Sequence, residues 1–141
     1  MIEQIKEDVK YTKKELSEVN PLNLAFIGDA IWTLMVREFF CNNTKYKNNN
    51  LHKLTTKFVK AVYQAEALEK LQQYFTEDEL DIARRARNTK INTACKNATL
   101  ADYKKATSFE AVIGYLYLLG NIEKIKQLFS VLQNDFLEAI K

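Results

Sequence analysis

The sequence predicts an all-α, single-domain protein, and three observations carry that prediction. Its 141 residues include one proline and three glycines, too few breakers for a turn-rich β fold. Apolar residues recur at three- and four-residue spacing through most of the chain, the period of helices laid on a core. Residues suited to starting and stopping helices stand at the ends of those periodic runs. An apolar content of 47% argues for a globular chain rather than a disordered one, and this length suffices to bury a substantial core.

Taken in order, residues 1–17 carry mixed charge and weak apolar spacing (Ile2, Ile5, Val9). They read as a peripheral or frayed helix, set apart from a main domain over residues 18–141. Pro21 suits a first helical turn, and the helix continues from Leu22 to about Phe40. Residues 42–50 read as a polar loop. Leu51, Leu54, Phe58, Val62, Ala65 and Leu68 define one long amphipathic helix, with Lys53, Lys57 and Lys60 on its other face. Thr76 followed by Glu79 forms a capping box for a shorter helix ending near Arg87. Residues 88–98 are polar and aperiodic, an expected exposed loop. Thr99 caps a helix to Leu119, bent near Thr107, with Gly120 as its stop. Asn121 caps a final helix that turns Ile122, Ile125, Leu128, Phe129, Leu132, Phe136 and Ile140 inward.

Composition narrows the function classes. The first residues are charged throughout, unlike a secretory signal. The apolar run over 21–36 is shorter than the roughly 20 residues that span a bilayer, and Asp29 interrupts it. Cys41 and Cys95 stand at no metal or redox spacing, so the expectation is a reduced cytoplasmic protein without a membrane partner. Net charge is +3, but it is segregated: residues 39–65 carry +5, residues 84–105 carry +6 and the remainder −8. That pattern suits a polyanion. The segment over 84–105 also offers Asn and Thr donors, fitting the phosphates and 2′-hydroxyls by which RNA duplexes are read.

The candidate chemistry lies in two acids. Asp29 is the only charged residue over 19–36, and Glu110 the only one over 106–122. An unpaired carboxylate in a core costs several kcal/mol, so such residues persist when bonded, paired or bound to metal. Gly28 precedes Asp29, and Gly114 follows Glu110 by one turn. Glycine inside a helix costs about 1 kcal/mol relative to alanine, and close backbone packing is the return expected of both. Two glycine-flanked carboxylates on two buried helices suggest one divalent-metal site, suited to a hard ion such as Mg²⁺. The bland alternative is a pair of buried acids bonded to backbone or arginine. His52, the single histidine, reads as a local hydrogen-bonding residue. Trp32, Phe39, Phe40, Tyr115 and Tyr117 are assigned to the core or a subunit interface.

The segment Leu24-Ala25-Phe26-Ile27-Gly28-Asp29-Ala30 resembles the catalytic-helix motif of ribonuclease III. Phe109-Glu110-Ala111-Val112-Ile113-Gly114 resembles that family's second acidic motif. The spacing, the lack of a double-stranded-RNA-binding domain and the RRARNTK segment between them are similar to Mini-ribonuclease III, over the chain from about residue 18. The resemblance implies an all-helical endonuclease domain, a symmetric homodimer, and cleavage of both strands of double-stranded RNA with short 3′ overhangs. It implies maturation of the 23S large-subunit ribosomal RNA precursor, with a ribosomal protein as a candidate partner. Asp29 and Glu110 become the catalytic, metal-binding carboxylates, with Mg²⁺ as cofactor and Mn²⁺ as its substitute. Lys53, Lys57, Lys60, Arg84, Arg85, Arg87, Lys90 and Lys96 become RNA-binding residues, and Gly28, Thr107 and Gly114 support the site. Where ribonuclease III places two more carboxylates this chain has Ala25 and Thr107, so a four-carboxylate site is absent. The alternative reading is a non-catalytic RNA-binding or ribosome-assembly module on the same fold.

Overall fold

The computed structural model describes residues 11–90 and 98–141. Among them the helices are α1 (Lys13–Ser17), α2 (Pro21–Asn43), α3 (Asn48–Val59), α4 (Ala61–Leu71), α5 (Glu77–Asn88), α6 (Leu100–Leu119) and α7 (Ile122–Ala139). A 3₁₀ turn over Gln72–Tyr74 follows α4, and no strand occurs among the described residues. The expected all-α class is what folds.

Helix α6 is the axis of the bundle. Its residues 106–116 are all buried apart from Glu110, and α2, α4 and α5 pack most extensively on it. A helix that is apolar on every side belongs in the middle. Trp32, Phe40, Phe109 and Phe136 are among the fully buried side chains, and the Trp32 ring meets Phe109 edge-on at 4.9 Å. Phe39 and Tyr117 are partly buried against the same core, so the aromatics assigned to core or interface serve the core.

The helix ends follow the sequence closely. Thr76 and Glu79 make the reciprocal capping box of α5. Thr99 caps α6 by accepting from the Asp102 amide, and Gly120 closes it in the left-handed conformation at φ 86°. Asn121 caps α7. Helix α6 runs through Thr107 without a break.

Three expectations are corrected. Helix α2 continues to Asn43, because the Asn43 and Thr44 side chains donate to the carbonyls of Phe39 and Phe40. The polar loop therefore shrinks to four residues, 44–47. The long helix through Val62 is instead two helices, α3 and α4, broken at Lys60 in extended backbone (φ −83°, ψ 159°). That break turns the second segment about its axis, burying Tyr63, Gln64, Ala67, Leu68 and Leu71 while Val62 is left exposed. The N-terminal segment is docked where it is described: Leu16 is fully buried, and the Tyr11 amide donates to the Leu118 carbonyl at 3.3 Å. Ile2, Ile5 and Val9 lie outside the described residues, as do Cys95 and Lys96.

Candidate active site

The site is built where α2 crosses α6 at backbone contact. A Cβ on Gly28 would lie 1.7 Å from the Glu110 carbonyl oxygen, and one on Gly114 would lie 1.9 Å from the Leu24 carbonyl oxygen. Any side chain at either position would force the helices apart. The two glycines therefore bring the backbones together, as their placement beside the acids suggested. This approach sets Asp29 and Glu110 side by side.

The two carboxyls sit in different surroundings. Glu110 is largely buried, and its carboxyl is pushed up to about 9, first by burial and then by the neighbouring Asp29, through hydrogen bonding and charge. Asp29 is exposed, which corrects the expectation of two core carboxylates. The inward stripe of α2 runs through Leu24, Gly28, Trp32, Val36 and Phe40, and Asp29 falls just past its edge. The result is one carboxylate held in the fold and one at the solvent boundary.

Gln64 is the residue that sequence reasoning missed. Its side chain is buried on α4, and its amide nitrogen donates to Glu110 Oε2 at 3.4 Å. That hydrogen bond opposes the rise in Glu110's proton affinity. The available signal was a lone amide within the run Ala61–Leu71, but an uninterrupted helix would have faced it elsewhere. Ser108 was also missed: it is buried and donates to the Ala83 carbonyl at 2.6 Å, fixing α5 against α6.

The other site candidates separate by environment. Lys53, Lys57 and Lys60 are exposed along α3 and its C-terminus. Arg84 is engaged with Asp81, and Arg85 is half-buried and donates to the Val19 carbonyl at 3.5 Å. Arg87 and Lys90 are exposed. Thr107 is buried, and its hydroxyl donates to the Tyr103 carbonyl one turn back at 3.0 Å. Ala25 is buried and apolar. His52 is exposed on α3.

The residues present fit a hard divalent cation. Glu110 and Asp29 offer carboxylate oxygens whose mutual repulsion a cation would relieve, and the exposed Asp29 leaves the pair open to solvent. No cluster of three or more His, Cys, Asp or Glu able to hold a metal exists among the described residues. Most of the coordination would therefore fall to water and phosphate oxygens, which Mg²⁺ accepts. No helix among the described residues is long and apolar enough to cross a membrane.

An all-helical domain with paired carboxylates at a glycine crossing defines a class. The ribonuclease III domain model matches residues 22–121. The chain is 42% identical over 131 residues to Mini-ribonuclease 3 of Clostridium tetani, covering 92% of this chain and 87% of that protein. It is 42% identical over 120 residues to Mini-ribonuclease 3 of a Thermoanaerobacter species, covering 85% and 84%. A crystal structure of protein FN1578 from Fusobacterium nucleatum superposes with a TM-score of 0.78 at 35% identity, covering 84% of this chain and 94% of that one. The chain belongs to the Mini-ribonuclease III group of the ribonuclease III family. It is an endoribonuclease of the ribonuclease III type, the class that cuts double-stranded RNA.

Proposed function

We propose that this chain is a Mg²⁺-dependent endonuclease that cuts double-stranded RNA as a homodimer and matures the ends of the 23S ribosomal RNA precursor. The single observation that carries the chemistry is the convergence of Asp29 and Glu110 across the Gly28–Gly114 crossing. Asp29, at the solvent edge, is the ligand that meets substrate, while Glu110 completes the pair from inside the fold. Mg²⁺, when bound, supplies Lewis acidity for hydrolysis and offsets the charge of the phosphodiester; Mn²⁺ is expected to substitute. Water adds to phosphorus, the bond to the 3′ oxygen breaks, and that oxygen takes up a proton, leaving 5′-phosphate and 3′-hydroxyl ends.

Substrate recognition falls to the basic residues. Lys53, Lys57, Lys60, Arg87 and Lys90 are exposed and suited to track phosphates. Arg84, exposed and paired with Asp81, and Arg85, half-buried against the Val19 carbonyl, would contribute charge from positions already engaged. Lys96 is assigned the same role on sequence grounds. Binding of this kind reads duplex shape and falls steeply with salt.

Helix α2 supports the dimer. Phe26 is 79% exposed, and Ala30 and Leu34 share its outward face next to Asp29. An apolar stripe of this kind beside the site suits a symmetric contact, which would set two sites on one duplex. A ribosomal protein that shapes the precursor is a further candidate partner, and the cytoplasm is the compartment where all of these meet.

The test incubates the protein with a long RNA duplex in Mg²⁺, beside EDTA and Asp29→Asn controls. Metal-dependent fragments from the wild type alone are expected, at a rate at least ~100-fold above the variant, as loss of several kcal/mol of transition-state stabilisation implies. Binding without cutting, on both a plain duplex and a ribosomal precursor, would overturn the reading.

A further inference from the structure

Gln64 is 2% exposed, and an amide buried to that degree is destabilising unless it is hydrogen-bonded. Among the described residues its side chain has one such partner, Glu110 Oε2 at 3.4 Å. The bond joins α4 to α6 and reaches the more buried carboxylate of the Asp29–Glu110 pair. It engages one oxygen, Oε2, of a carboxylate that also hydrogen-bonds with Asp29. Gln64 also stands at a defined place, because the chain restarts as helix immediately after Lys60 and the Gln64 backbone N–H donates to the Lys60 carbonyl at 3.1 Å. A freely rotating Glu110 would have to be ordered each time a cation bound; a tethered one is ordered beforehand.

We infer that Gln64 is a positioning residue of this site, holding the Glu110 carboxylate in the orientation that accepts the divalent cation. The inference rests on the metal-dependent reading above and assigns Gln64 no contact with substrate. A purely structural role predicts something different: a buried amide that only fills the core would change stability and leave the metal requirement where it was.

The test uses Gln64→Met, which keeps length and burial but cannot donate, with Gln64→Leu as a second apolar variant. Each full-length protein is titrated with Mg²⁺ and with Mn²⁺ in the absence of RNA, following the rise of its thermal midpoint above its own EDTA value. The expected result is a metal concentration for half-maximal stabilisation about 10–100-fold higher than wild type, the usual range for losing a partner of a ligand. The Mg²⁺ requirement for cleavage should shift in parallel, with KM for duplex RNA unchanged. An unshifted metal midpoint in a folded variant, whatever its stability in EDTA, overturns the inference while leaving the nuclease reading intact. A wild type with neither metal-induced stabilisation nor metal-dependent cleavage overturns both.

Discussion

Trp32 on α2 donates its indole N–H to the backbone carbonyl of Phe58, at 2.8 Å, inside the core. Phe58 lies in the last turn of α3, where carbonyls lose their intrahelical partners. The restart of the chain at Ala61 therefore depends on a donor supplied by a different helix. Trp32 is one turn beyond Asp29, so the helix that carries the exposed carboxylate also secures the break that aims Gln64 at Glu110.

Replacing Trp32 by Phe keeps an aromatic ring and removes the donor. The variant should lose about 1–3 kcal/mol, the cost of leaving a buried carbonyl unpaired. Urea denaturation measures this. Unchanged stability would mean that the break at Lys60 is held by packing alone.

The glycine crossing predicts a larger effect. Alanine ordinarily favours a helix over glycine by about 1 kcal/mol, yet Gly28→Ala and Gly114→Ala should each destabilise by about 3 kcal/mol, the upper part of the overpacking range. The added Cβ would meet backbone atoms rather than a movable side chain. Cleavage by any folded fraction should fall as the two carboxylates separate. Thermal unfolding beside single-turnover cleavage checks both effects, and a stabilised Gly28→Ala would disprove the close crossing.

Glu110 makes stability depend on pH in a defined direction. Its carboxyl is raised from 4.5 to about 9, so between these values the folded chain retains a proton that the unfolded chain has released. Stability of the metal-free protein should therefore fall as pH rises through this window and level off above it. Glu110→Gln removes that slope and should stabilise the metal-free protein at pH 8 by about 1–3 kcal/mol, a discounted fraction of the full linkage. Added Mg²⁺ should stabilise the wild type increasingly as pH rises, and the variant far less. Parallel pH profiles for the two proteins in EDTA would refute the raised proton affinity.

Phe26→Ser should convert the proposed dimer to monomer in light scattering and lower cleavage, because the 79% exposed ring contributes no core contact whose loss would unfold the subunit. A monomeric wild type would show that the α2 stripe serves another purpose.

Much of this protein was determined locally. The Thr76–Glu79 box, the Thr99 and Asn121 caps and the left-handed Gly120 are set by side chains within a few residues of the backbone groups they satisfy. They were legible for that reason. The pairing of Asp29 with Glu110 was legible too, because isolated charges and helix-interior glycines are both costly and mark places where something compensates. Tertiary structure alone decided the rest. The spacing of Leu54, Phe58 and Val62 continues across Lys60 without a visible stop, because the donor that secures the break is Trp32, 26 residues earlier. The inward face of α4, the role of Gln64 and the tether of Arg85 to Val19 follow from that packing. Asp29 is exposed because it stands one residue past the buried stripe of α2, at the edge of the face that packs on α6, a boundary set by the helix crossing.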